Sequence, residues 1–234
     1  MSNPTIQLKF DQKLDQNLAW NFYSQPNYGG CNFWKERALS HHPKLLGIEL
    51  AKKPKKFLNE YISEFYSSNI DDIKKRGRET SIYLHQSQND FFKIVDKIFN
   101  HHPWPKEKFT GLFSIFDFCP RFLDWGGFQI FHYDNRNMKL FTIFHEMLHF
   151  IFYDFAKKTF PEKFKKINTE EGKFWDLAEI FNAVVQDTNN FIKLHGKIKN
   201  IGYPSHKNLI LRGKNLWIKD QDLKQWIIKM MKII

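Results

Sequence analysis

The sequence predicts an α+β fold in which helices surround a small mixed sheet. Three observations carry this reading. Apolar residues recur at helical spacing in residues 45–100, 137–156 and 173–194, and again at the C-terminus. Two runs, residues 109–118 and 128–133, are rich in aromatic and β-branched side chains and lie between turn residues, as strands do. No internal repeat or low-complexity linker divides the 234 residues, so a single domain is the simplest organisation.

Taken in order, Ile6, Leu8 and Phe10 alternate with Gln7 and Lys9, the pattern of a short strand. Residues 25–30, Gln-Pro-Asn-Tyr-Gly-Gly, form a turn-rich loop. A helix is expected after Pro54, carrying Phe57, Leu58, Tyr61, Ile62 and Phe65. A second helical stretch covers residues 70–99, with Gly77 as a break point. Pro103 and Pro105 close this helical N-terminal half at about residue 104. The two strands follow, with Gly126-Gly127 marking a bend before the second. Then comes a long apolar helix over residues 137–156, which Asp134, Asn135 or Asn137 can cap. Residues 161–172 are a polar link, 173–194 a further helix and 202–206 another loop. A last helix begins near Asp220, with Leu223, Trp226, Ile227, Met230 and Ile234 on one stripe.

Composition excludes several classes. A hydrophobic fraction of 42% with 25 Phe is enough for a sizeable core and rules out whole-chain disorder. Cys31 and Cys119 make no disulfide framework and no Cys-x-x-Cys, which suits a cytoplasmic setting. The first eleven residues lack the cationic-then-apolar pattern of a signal peptide. Residues 140–156 are interrupted by His145, Glu146, His149 and Asp154 and fall short of the ~20 apolar residues of a spanning helix, so no membrane partner is expected. The net charge of +11 is uneven. Residues 191–234 hold ten Lys/Arg against two Asp. Such a basic region can attract nucleic acid. The lysines are scattered, however, and no zinc finger, RNP-like run or aromatic-spaced basic strand accompanies them, so a solvated face is the favoured reading.

The chemistry concentrates in His145-Glu146-Met147-Leu148-His149. At 3.6 residues per turn, His145 and His149 project from one helix face about 40° apart, and their imidazoles can converge on one metal ion. Glu146, turned about 100° from His145, can reach past the metal to a water and take its proton. The flanking residues Phe141, Ile143, Phe144, Phe150, Ile151 and Phe152 are apolar. Two histidines and a carboxylate buried there need partners, and a metal provides one. The bland alternative is a hydrogen-bonded pair of core histidines with Glu146 at the surface. Downstream, Asp176, Glu179, Asn182 and Gln186 form one polar stripe, which either faces water or turns toward the motif helix. The pairs His41-His42 and His101-His102 precede prolines in loops and read as non-ligands.

This motif resembles the active-site helix of the zincin metallopeptidases, and residues 105–210 follow that family's order of strand, edge strand, motif helix and second helix. Phe152 and Phe155 stand where a metzincin carries Gly and His, so that branch does not fit. The resemblance is to the gluzincins, whose third ligand is a Glu on a following helix. It implies Zn2+ held by His145, His149 and Glu179, although the Asn-Glu-x-x-x-Asp signature is incomplete. Asp176 is the runner-up ligand, ahead of Glu170, Glu171 and His195, and Asn182 is placed to support the carboxylate. It further implies a peptide or protein substrate, Glu146 as general base, and Tyr203 or His206 as donor to the developing oxyanion. Residues 128–133 would be the edge strand, packed on the motif helix, along which an extended peptide pairs. Two rival expectations are a basic nucleic-acid-binding protein with an incidental motif, and a zincin-like metal protein without peptidase activity.

Overall fold

The computed structural model describes residues 3–199 and 201–234. In chain order the elements are β1 (Thr5–Phe10), α1 (Gln12–Ser24), β2 (Asn27–Tyr28), β3 (Cys31–Asn32), a π-helical turn at Trp34–Ala38, α2 (Leu39–His41), two 3-10 turns, and α3 (Pro54–Ile98). Then follow β4 (Lys108–Ser114), β5 (Arg121–Phe122), β6 (Gly127–Phe131), α4 (Arg136–Thr159), α5 (Pro161–Phe164), α6 (Gly172–Gln186), α7 (Asn189–His195), α8 (Lys207–Asp220) and α9 (Leu223–Met230). The class is α+β and mostly helical. The chain groups into two compact units. One holds Ile6–Tyr83 and Phe109–Asn135, and the other is made chiefly of Leu84–Lys108 and Arg136–Ile234.

The first unit contains the four-stranded sheet, in the order β1-β4-β6-β5. β4 and β6 are parallel, with Gly111 opposite Phe128 and Ser114 opposite Phe131. β5 runs antiparallel to the start of β6. Strand β6 therefore lies inside the strand order, with β5 paired to Gly127 and Phe128 and the Gln129 N–H bonded to the Pro120 carbonyl, against the expectation of an edge strand at residues 128–133. The physical reason is legible in Gly-Phe-Gln-Ile-Phe, which lacks polar alternation. All five residues are buried, as in a strand covered on both faces. The edges are β5, with both residues half-buried, and β1, whose residues alternate between exposed and half-buried.

Gly77 does not break the long helix. α3 runs unbroken for 45 residues. A Cβ on Gly77 would lie 2.6 Å from Phe10 Cζ, and Phe10 stacks on Phe113 with ring centroids 5.0 Å apart. The glycine is thus a point of close approach between helix and sheet, and the helix absorbs its propensity cost of about 1 kcal/mol. The Gly29-Gly30 turn of the expected loop carries the β2–β3 hairpin, both glycines having positive φ. His42 is a buried structural residue. Its Nε2–H donates to the Ile115 carbonyl (2.7 Å) and its Nδ1 accepts from the Tyr61 hydroxyl (2.8 Å), so it is not a ligand.

The second unit is helical and strongly aromatic. Phe91 of α3 stacks on Phe144 of α4 at 4.4 Å. Phe181 of α6 meets Phe99, Phe152, Trp217 and Trp226. The helix expected over residues 173–194 is two helices, parted at Asp187-Thr188, where Thr188 Oγ1 donates to the Val185 carbonyl. Helix α8 has no counterpart in the sequence reading. Its Gly213 lets α6 and α9 approach closely, since a Cβ there would lie 3.0 Å from Val184 and 3.2 Å from Trp226. Four residues of the last helix's expected stripe, Leu223, Trp226, Ile227 and Met230, are buried, whereas Ile234 lies past the helix end and is half-buried; Asp222 caps the helix through the Gln225 N–H. His102 Nε2 bonds Asp154 at 2.7 Å, again a structural role. Among the described residues no helix is long and apolar enough to cross a membrane.

A buried carboxylate ties α1 to the sheet of the first unit. Asp15 accepts from Tyr66 Oη (2.7 Å), the Ile115 N–H (3.0 Å) and Gln129 Nε2 (2.8 Å). Burial lifts its carboxyl from the ordinary 3.8 to about 6, although these hydrogen bonds favour the ionised form. A raised carboxyl contributes stability that is present below pH 3.8 and lost as pH rises through about 6, roughly 3 kcal/mol in all. In Asp15→Asn the Gln129 amide can turn to accept from the new amide, and this pH-dependent contribution disappears. Thermal melts should therefore show the variant gaining on wild type as pH rises from 4 to 7. A constant difference between the two would contradict this role for Asp15.

Candidate metal centre

The centre lies within the second unit, between α4 and α6. His145 and His149 are one turn apart on α4, as the motif spacing requires. Glu179 comes from α6. Its Oε1 lies 3.2 Å from His149 Nε2 and its Oε2 lies 3.3 Å from His145 Nε2. The two Nε2 atoms are 3.0 Å apart. Among the described residues these three are the group of His, Cys, Asp and Glu that can share one ion. His149 is fully buried, and Glu179 is 5% exposed.

These separations fit zinc. A tetrahedral ion with ligand distances of ~2.0–2.1 Å spaces its donors about 3.3–3.4 Å apart. Two imidazole nitrogens and a carboxylate oxygen are the donor types zinc takes, and three protein ligands leave a fourth direction open. Burial opposes charging His145, but the hydrogen bond and charge of Glu179 more than offset it and hold the imidazole above its usual range. Burial likewise opposes ionising Glu179, and the two histidines override it, holding the carboxyl well below its usual range. The carboxylate and the two imidazoles thus favour each other's charged forms.

Two amides of α6 grip α4. Asn182 Nδ2 donates to the His145 carbonyl (2.9 Å), and Gln186 Nε2 donates to the Phe141 carbonyl (3.0 Å). Residues one turn apart on α6 thus hold carbonyls one turn apart on α4. Gln186 Oε1 also accepts from His145 Nδ1 at 3.0 Å. The polar stripe on α6 accordingly turns inward at Glu179, Asn182 and Gln186, all buried. Asn182 does not support the Glu179 carboxylate as expected; it holds the backbone of the motif helix.

Glu146 is buried at 5% exposure, and its charge acts on His145. The surface position of the bland alternative is therefore not where it lies. Asp176 is not in the triad. Its Oδ1 accepts from His206 Nε2 at 2.8 Å, and the His206 ring is buried. Tyr203 packs against Trp175 with tilted rings 5.0 Å apart, and its ring lies 5.7 Å from that of His206. Tyr203 and His206 thus join Trp175 and Asp176 at the start of α6, one turn before Glu179. His195 is buried against Phe141, with Nδ1 bonded to the Gly196 carbonyl, and is also outside the triad. Glu170 and Glu171 lie in exposed positions before α6. The residue that sequence reasoning missed is Gln186. Its signal was the stripe itself, since amides at helical spacing in so apolar a helix need buried partners.

Comparison of the chain with protein-family models, curated proteins and solved structures gave no match.

The geometry separates the two carboxylates of α6. Glu179→Ala should lower zinc affinity by two orders of magnitude or more, while Asp176→Ala should leave it within a few-fold of wild type. Competition titration against a chromophoric chelator measures both. Equal losses in the two variants would contradict the assignment of Glu179 as the ligand.

Proposed function

We propose that the chain is a zinc-dependent metallohydrolase of zincin type, with the peptide bond as its substrate class. The observation that carries this reading is the convergence of His145, His149 and Glu179 at donor spacings suited to tetrahedral zinc, beside Glu146. A zinc ion held there supplies a Lewis acid that acidifies a water and polarises a carbonyl. The chain's own residues do the rest. The Glu146 carboxylate takes a proton from the attacking water and delivers it to the leaving amine nitrogen. His149 and Glu179, packed away from solvent, hold their donor atoms without a large search over rotamers.

Tyr203 and His206 are the proposed donors to the developing oxyanion. His206 bonds Asp176 Oδ1 through Nε2, a contact that fixes the orientation of its ring. Pairing of an extended peptide along β6 is not part of this proposal, because β4 lies along one side of that strand and β5 covers the start of the other. Cys31 and Cys119 are not joined in a disulfide, which suits a reducing compartment, and a cytoplasmic location is proposed on that ground.

Glu146→Gln preserves size and polarity but cannot accept the proton. It should retain one zinc per chain by elemental analysis and lose several orders of magnitude in hydrolysis of a quenched-fluorescent peptide library. Hydrolysis near the wild-type rate would sink the role of Glu146. Zinc without cleavage in the wild-type protein itself would favour a metal protein with another task.

A further inference from the structure

We propose that Gln186 is the positioning residue of this centre: bonded to the Phe141 backbone carbonyl, it fixes which nitrogen of His145 faces the metal and, as a neutral acceptor, how strongly that nitrogen binds. This rests on the zinc reading above. Gln186 is fully buried, so its amide has no water to satisfy either end.

The inference is a chain of donors and acceptors. The Phe141 carbonyl only accepts, so the group facing it at 3.0 Å is the Gln186 NH2. The Gln186 oxygen is then the atom 3.0 Å from His145 Nδ1, and an amide oxygen only accepts. His145 must therefore carry a proton on Nδ1. Its Nε2 is left as the metal-binding atom, turned toward His149 Nε2 and Glu179. The opposite amide orientation would set two oxygens face to face at Phe141. A backbone carbonyl of the motif helix thus selects the ligand atom four residues further along the same helix, through a side chain of α6.

The acceptor is also neutral. A carboxylate behind a ligating imidazole raises its basicity and tightens the metal, whereas an amide does so less. The site therefore holds zinc less tightly than its ligands allow, which leaves the ion more electron-poor and a stronger Lewis acid.

Two variants and one wild-type measurement test this. Gln186→Leu keeps the volume and loses both bonds. Gln186→Glu keeps the acceptor for His145 and loses the donor to Phe141. Zinc affinity and thermal stability of the metal-free protein are measured for each, with folding checked by circular dichroism. Gln186→Leu should weaken zinc 10- to 100-fold. Gln186→Glu should bind zinc at least as tightly as wild type even though its metal-free form melts at a lower temperature. A residue that merely packs two helices would make zinc affinity follow stability in both variants, and that result would overturn the proposal. Should a variant not fold, nitrogen-15 spectra of the zinc-loaded wild-type protein remain decisive. They should show His145 protonated at Nδ1 and ligated at Nε2, and ligation through Nδ1 would overturn the inference. Absence of zinc binding in wild type would instead defeat the metal-site reading beneath it.

Discussion

The candidate site depends on the axial register between α4 and α6. An antiparallel helix pair can slide by a residue at small cost to a generic apolar contact, yet a slide of one residue moves a side chain 1.5 Å along the axis. The His145–His149–Glu179 group, if it is to share one ion, has no such tolerance. Asn182 and Gln186 remove the freedom by bonding the His145 and Phe141 carbonyls at matching one-turn intervals. With both bonds made, Glu179 falls opposite the gap between His145 and His149, and its two oxygens reach one nitrogen each. The amides are buried, so a slipped register leaves polar groups unpaired and costs about 1–3 kcal/mol for each. Around this polar seam the aromatic residues Phe144, Phe152 and Phe181 supply the bulk of the packing, without specifying the register themselves.

The same seam explains how so much charge sits in an apolar interior. An isolated carboxylate at the depth of Glu179 would be neutralised by protonation. Here two imidazoles face it, and the pair holds opposite charges together. The proposed zinc ion would place a more concentrated positive charge at the same point, so the arrangement that steadies the carboxylate is also one suited to receive a metal. Asp15 of the other unit shows the contrasting outcome. It is buried with neutral donors only, and its carboxyl rises to about 6.

Much of this was legible in the residues, and the exceptions are instructive. His145, His149 and Glu179 were readable because helical periodicity and ligand chemistry are both local rules, needing only the spacing four along one helix and one carboxylate on the next. The role of Gln186 was not, because it depends on which backbone carbonyl an amide meets across an interface. The strand at residues 128–133 was recognised as a strand but misplaced in the sheet, since strand order is set by β1 and β5, which lie far from it or are only two residues long. Gly77 and Gly213 were likewise opaque. A glycine required for close packing against Phe10 or Val184 looks the same in sequence as one that ends a helix.

The most direct measurement is an anomalous-difference map at the zinc edge from crystals of the zinc-loaded protein. The account predicts one strong peak per chain, bounded by His145 Nε2, His149 Nε2 and a Glu179 carboxylate oxygen at ~2.0–2.2 Å. A peak centred on the Asp176–His206 pair, or no ordered peak between α4 and α6 at saturating zinc, would contradict it.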